Sequence, residues 1–361
     1  MQYRVMKSTV LLFLFLFFLA SCSQPEKRLA LVGIIEIKSF NSSGKLIFSS
    51  AANTLTIYEG HGRFYDHDLA NGCLRDSFVI AGLNGKNFDF YRRDSMVYVL
   101  ETESNKIQCY STTGNLLKEY DAQLSDKMLY AIRTPLYVGK NQRVFLYQTN
   151  LRLDPFSTNK VEAAQFYNDG LLAYYELSDS TMYPIDEHFG KYPAVYRARM
   201  FYNLFPASTP LSDSSFAYIF DAVPELFMYK NGKVTTHRIA GLNSNVIPLI
   251  TSSDSLSSIS FINSITNRSD GYLKLLYDAN KRIYYLFQMH VLPRRSGDEL
   301  SLFNDKPLTI YMIDSSYKVI GRKQFSDMKI YSYPLVAFVE NGYLYLQRKT
   351  KKSIELERYE L

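Results

Sequence analysis

The chain has no tryptophan, three cysteines and five histidines among its 361 residues. Without tryptophan there is no Trp-Asp dipeptide for WD-type repeats. A complete kelch pattern, a full sialidase-type Asp-box and the tryptophan motif of quinone-dependent enzymes are excluded for the same reason. His188, His237 and His290 match no ligand spacing, and only His61 and His67 share a segment. No G-x-S-x-G elbow is present. The glycine-bearing stretch "AGLNGKNFDF" (81–90) lacks a terminal Lys-Ser/Thr and reads as a turn entering a sheet, not as a phosphate loop. Charge runs are also scarce. Lysine and arginine are scattered, the tight run Lys349-Thr350-Lys351-Lys352 reads as a solvated turn, and the formal charge of +6 carries no nucleic-acid signature. These patterns lead us to expect no metal, no cofactor and no assigned catalytic residue.

One long apolar run exists, Val10 to Ala20, preceded by the positive Arg4 and Lys7. It has the length of a signal-peptide core and falls short of the roughly 20 residues that span a bilayer. An uncleaved membrane anchor is the other reading. The run ends Leu19-Ala20-Ser21-Cys22, which resembles the lipobox of bacterial lipoproteins. That resemblance implies cleavage before Cys22, thioether lipidation of Cys22 and acylation of the new N-terminus. Several acyl chains, such as palmitate, anchor stably at about 0.8 kcal/mol per buried CH₂. It divides the chain into a leader (1–21), a lipidated tether (22–30) and a folded domain (31–361). After Cys22 the tether has one acid, Glu26, followed by the bases Lys27 and Arg28. Lipoproteins displayed on the surface of Bacteroidetes cells commonly carry an acidic run there. The expectation is therefore an outer-membrane lipoprotein on the periplasmic side, with the membrane as partner through its lipid. In that oxidising compartment Cys73 and Cys109 can form one disulfide; the alternative is two separate buried thiols.

What the chain has in abundance is 30 tyrosines and 24 phenylalanines. Aromatic and β-branched residues favour strands, and helical stripes are rare while short alternating runs are frequent. The unit "DSMVYVLETESNKIQCYSTTGNLLKEY" (94–120) reads as strand, polar turn, strand, glycine turn, strand. Similar units recur at 214–239, from Lys281, from Asn341, around 44–59 and from Arg143. A meander of three or four short strands cannot bury both faces alone, but repetition around an axis buries each against its neighbours. The expected fold is all-β: a β-propeller of six blades, with excess length near 154–210 and 294–306. A pair of β-sandwiches is the alternative. With its lipobox, its tyrosines and the Y-x-x-x-G rhythm seen at Tyr110 to Gly114, the chain resembles uncharacterised Bacteroidetes lipoproteins that carry a six-bladed propeller of the TolB/NHL-like type. The resemblance implies fold and address only.

Three places deserve chemical scrutiny. "HGRFYDHD" (61–68) is dense in donors, but neighbouring residues alternate sides when extended, so it reads as a polar loop. Glycoside hydrolysis would need two carboxylates across a cleft, with Asp66, Asp89, Asp154, Asp221 and Asp278 as candidates. The segment 181–206 stands apart, with Tyr183, Tyr192, Tyr196, Arg197, Arg199 and Tyr202, and with a short helix expected over Ala194 to Asn203. Tyrosine and arginine concentrate at binding hot spots, and long insertions sit where loops bind. These six are the candidate ligand-binding residues; the opposing reading has the aromatics capping the fold and the arginines pairing with Asp186 and Glu187. The function expected is a lipid-anchored binding or scaffold protein for a glycan, peptide or protein partner. The alternative is a lipid-anchored carbohydrate hydrolase.

Overall fold

A computed structural model describes residues 27–37, 47–83, 88–101, 104–121, 127–130, 136–150, 152–155, 157, 159–169, 171–178, 181–184, 192–198, 205–245, 268–292, 305–326, 335–349 and 353–361. Its described strands form six four-stranded antiparallel sheets. The first sheet is β2 (Ile47–Ala51), β3 (Thr54–Gly60), β4 (Arg63–Asp68) and β5 (Leu74–Val79). The second is β6 (Phe88–Arg93), β7 (Met96–Glu101), β8 (Lys106–Ser111) and β9 (Leu116–Asp121). The third is β10 (Lys127–Tyr130), β11 (Arg143–Asn150), β12 (Leu172–Glu176) and β13 (Thr181–Pro184). The fourth is β14 (Ala207–Ser212), β15 (Ser215–Ile219), β16 (Glu225–Lys230) and β17 (Lys233–Arg238). The fifth is β18 (Gly271–Asp278), β19 (Ile283–Met289), β20 (Leu308–Ile313) and β21 (Val319–Phe325). The sixth joins β22 (Ala337–Glu340), β23 (Tyr343–Lys349) and β24 (Ile354–Glu360) to the first strand of the chain, β1 (Ala30–Ile37), with Ala30 opposite Glu360. Among the described residues two short helices are present: α1 (Lys160–Asn168) connects β11 to β12 within the third sheet, and α2 (Ala194–Ala198) lies between the third and fourth sheets.

The arrangement is propeller-like, and the side-chain period explains it. Along β7, Val97 and Val99 enter a cluster with Phe64 and Phe90, while Tyr98 and Leu100 enter another with Val144 and Leu146. Successive side chains of a strand point to opposite faces. A second strand that is apolar at every position therefore buries both faces, one against each neighbouring sheet. β15 and β19 do the same, so Phe216 and Tyr218 face the third sheet while Ala217 and Ile219 face the fifth. Among the described residues six apolar clusters result, one between each consecutive pair of sheets. The last joins Ile35, Leu356 and Tyr345 of the sixth sheet to Leu55 and Ile57 of the first. A fully buried side chain of this size contributes about 1.5–3 kcal/mol.

Several details depart from the sequence expectations. Residues 61–68 are a hairpin turn and a strand, not a loop: His61 takes the turn with φ 51° and Arg63–Asp68 is β4. The stretch 154–210 is not all insertion, because β12, β13 and the start of β14 lie within it. The helix expected from Ala194 is described to Ala198. The disulfide between Cys73 and Cys109 is not formed; both thiols are free. Cys73 lies in the exposed β4–β5 turn of the first sheet, whereas Cys109 points into the apolar cluster between the second and third sheets. The second sheet stands between them.

Candidate functional site

At one end of the ring the hairpin turns between the first and second strands of successive sheets meet one another. Arg93, closing β6, donates from Nη1 to the carbonyls of Val138 at 3.1 Å and Gly139 at 2.5 Å, and from Nη2 to Tyr98 Oη at 3.1 Å. The third sheet's turn reaches the fourth in the same way. Asp213 Oδ1 accepts from the Lys140 amide at 2.9 Å and from Tyr137 Oη at 3.1 Å. Between the sixth and first sheets, Asn341 donates to Asn53, and the Asn53 amide donates to Glu340 Oε1 at 3.4 Å.

These turns enclose a cavity of about 540 Å³, lined by Tyr91 to Asp94, by Tyr137, Val138 and Lys140, by Asp213, and by Ala52 and Thr54. The rings of Tyr91 and Tyr137 pack at 5.2 Å between centroids. Burial pushes the Tyr91 phenol up to about 12, with Arg93 opposing. Burial also raises Tyr137, and the neighbouring Tyr91 and Asp213 add to it. Both phenols are protonated donors at neutral pH. Arg92 reaches the buried Asp66 at 3.4 Å, and Asp66 accepts from Thr56 Oγ1 at 2.5 Å. The Arg92 Nε is buried and has no hydrogen-bond partner among the described residues. A guanidinium N–H without an acceptor is costly, and this one lies beneath the cavity wall on the side of Asp66.

Two further charged features lie on the inner strands and at the far end. Lys274 sits at a bulge in β18, and burial lowers its ammonium to about 8, opposed by the carboxylate of Asp89 on β6. At the opposite end from the hairpin turns, Lys306 is fully buried and donates to the Ser269 carbonyl at 2.5 Å. Burial brings it to about 8 against the pull of Asp270 and Asp221. Asp221 accepts from the Tyr272 amide at 2.6 Å, and Asp270 from the Val291 amide at 2.9 Å. His290 Nδ1 lies 3.8 Å from Asp270 and its Nε2 lies 2.7 Å from Thr309 Oγ1.

The residues singled out from sequence are not gathered into one surface. Tyr192 and Tyr196 are core residues, 4% and 1% exposed, packed with Phe166, Tyr167 and Phe220 between the third and fourth sheets. Their side chains serve packing between the two sheets. Tyr183 is in β13 opposite Tyr174, and Arg197 is in α2; their side chains, and all of Arg199, Tyr202 and Cys22, lie outside the described residues. The candidate carboxylates come from different sheets, and four of them are engaged locally. Asp66 holds Thr56 and Arg92, Asp89 Oδ2 accepts from the Leu136 amide at 3.2 Å, and Asp221 holds Tyr272. Asp278 accepts from the amides of Asn280 and Lys281 within its own turn, and Asp154 lies ahead of α1. No three His, Cys, Asp or Glu side chains converge as a metal site among the described residues. Sequence reading passed over the cavity because its parts come from four separate turns. The one available signal was Arg92-Arg93-Asp94, a run of charges at the end of a strand.

Fold and site together define an all-β propeller with a polar cavity at its hairpin-turn end. Comparison with solved structures agrees with the fold. A member of the DUF4221 family from Bacteroides vulgatus superposes with a TM-score of 0.72 at 14% identity, over 94% of this chain and 99% of that one. A protein from Bacteroides fragilis superposes with a TM-score of 0.53 at 10% identity, over 94% and 97% of the two chains. At these identities the likeness concerns the fold. No protein-family model and no curated protein matches the chain. Among the described residues no helix is long and apolar enough to cross a membrane.

Proposed function

We propose that the chain is an exported lipoprotein, held at the periplasmic side of the outer membrane by lipid on Cys22. Its six sheets are the blades of a propeller, and it binds a ligand rather than transforming one. The ligand fitting the hairpin-turn cavity is a saccharide bearing a carboxylate or phosphate. The lining carries this reading, because Arg92, Arg93 and Lys140 bring three cations to one cavity beside the rings of Tyr91 and Tyr137. Within the same lining, Tyr91 and Tyr137 offer ring faces for a sugar, and Asp94 and Asp213 can accept from hydroxyls. The hydrolase alternative would need two of the candidate carboxylates free to face a cleft, whereas Asp66, Asp89, Asp221 and Asp278 each hold a partner.

The test is a glycan array probed with the full lipidated chain in detergent, followed by titration of any binder. Acidic saccharides should bind, and Lys140→Glu with Tyr91→Ala should weaken them at least tenfold while the fold persists by circular dichroism. Binding confined to neutral sugars, or unmoved by those substitutions, sinks the assignment. Palmitate labelling of cells carrying Cys22→Ala tests the anchor separately: label that persists in the variant removes it.

A further inference from the structure

We infer that the outer wall made by β1 rests on the surface of the bilayer, so that the propeller lies against the membrane instead of hanging free from its tether. This rests on the lipid anchor at Cys22 proposed above. Three apolar residues of β1 face outward: Leu31 is 48% exposed, Val32 41% and Ile34 51%. A bulge between Leu31 and Gly33 breaks the alternation and leaves both Leu31 and Val32 outside. β1 is the edge of the sixth sheet, where exposed apolar residues are ordinarily avoided because they invite pairing with other chains. Lys27 and Arg28, just ahead of β1, are exposed, as is Arg322 on β21; the exposed acids of this wall are Glu36, towards the far end of β1, and Glu360, opposite Ala30.

The position of the anchor selects the occupant of this wall. The chain is already fastened at Lys27, whose amide donates to the Ile320 carbonyl at 2.9 Å, and the Leu29 carbonyl accepts from Lys323 Nζ at 3.3 Å. Gly321 permits the approach, since a Cβ there would overlap the Lys27 carbonyl. Cys22 stands five residues before Lys27, which is at most about 18 Å of extended chain. An acylated Cys22 therefore holds the β1 wall near the headgroups. Exposed aliphatic residues beside lysine and arginine suit that boundary: the aliphatic groups enter the acyl margin and the cations meet anionic lipids.

The experiment uses full-length acylated protein with Cys73→Ser, reconstituted in phosphatidylethanolamine–phosphatidylglycerol vesicles. A polarity-sensitive fluorophore is placed through Val32→Cys or, as a control, through Val161→Cys on α1, which is 66% exposed. Brominated lipids should quench the position-32 probe at least twofold more than the position-161 probe, and Lys27→Glu with Arg28→Glu should reduce the difference. Mass spectrometry reports acylation in the same samples. An acylated chain with equal quenching at both positions overturns the docking while the anchor stands. A chain without acyl groups and without quenching overturns both, whereas quenching without acylation removes only the anchor. A shift at position 32 that follows protein concentration in the absence of vesicles assigns the wall to a second copy and also overturns the proposal.

Discussion

The guanidinium of Arg93 lies 2.5 Å from the Gly139 carbonyl and ties the second sheet's first turn to the third sheet's. It also holds Val138 and Tyr98, so one side chain supplies three hydrogen bonds at the wall of the cavity. Arg93→Ala should cost about 2–4 kcal/mol, because charge-assisted bonds are lost and two carbonyls lose a donor. Arg93→Lys should recover less than half, since an ammonium lacks the fork that serves two carbonyls together. Urea midpoints of the three proteins decide it. Equal midpoints for alanine and arginine would mean that the turn is held by other contacts.

Tyr192 and Tyr196 have ring centroids 5.5 Å apart and share neighbours in Phe220 and Tyr167. Truncating either to alanine should destabilise by about 3–5 kcal/mol, the range for deleting a buried aromatic. Ligand affinity of the surviving folded fraction should not change. A loss of affinity at unchanged urea midpoint would return these tyrosines to the binding surface.

That pair also marks how far the sequence could be read. The middle strands were legible: Met96, Lys106 and Leu116 begin strands where the alternation places them, and Asn231-Gly232 turns where expected. Their pattern is local. The innermost strand β14 begins inside the stretch that reads as insertion, because Ala207 to Ser212 carries no aromatic run and is placed by its neighbours. Closure of the ring by β1 on β24 joins residues more than 300 apart, and no local pattern encodes it. The same holds for the cavity. Tyr192 and Tyr196 look like hot-spot residues in sequence, yet composition cannot say whether a tyrosine faces a ligand or a neighbouring sheet. Lys306 was invisible for the converse reason, since a lysine in a polar stretch gives no sign of complete burial.

The thiols should behave as two unrelated groups. Cys73 is exposed and should react with a thiol reagent in the folded protein within the mixing period. Cys109 is buried, and burial pushes its thiol up, so it should react only on unfolding. Reducing agent should leave the melting temperature unchanged. A drop of several degrees on reduction would restore a disulfide.

Alkaline pH should first stabilise and then destabilise the protein. Lys306 is at about 8 when folded against 10.5 in the open chain, so the unfolded state binds more protons between those values. Stability therefore rises with pH across that window, by about 3 kcal/mol for a shift of this size. Lys274 titrates over the same interval and adds in the same direction. The buried phenols act oppositely. Tyr192, Tyr218 and Tyr272 are raised above 10.0 by burial, so they stay protonated in the fold after the open chain has ionised. Their contribution is complete below pH 10 and is lost as pH rises through the folded values. Urea midpoints should climb from pH 8 to 10 and fall beyond, and Lys306→Met should flatten the climb. A midpoint that does not change between pH 8 and 10 would show that Lys306 is solvated.

Gly321 tests whether the start of the folded domain is fastened where the contacts place it. Its missing side chain leaves room for the Lys27 carbonyl, and a Cβ would also press on Met312 Cε. The methionine can shift, being the far end of a flexible side chain, but the backbone carbonyl moves only if the segment before β1 moves with it. Gly321→Ala should therefore cost about 1–3 kcal/mol, as overpacking does, and should detach Lys27 from Ile320. Trypsin reads the second effect independently of the first. Lys27 and Arg28 are exposed cleavage sites in a segment fastened to Ile320, and freeing that segment should speed cutting there under native conditions while cutting elsewhere is unchanged. Equal rates in the two proteins would place the fastening downstream, at the pairing of β1 with β24.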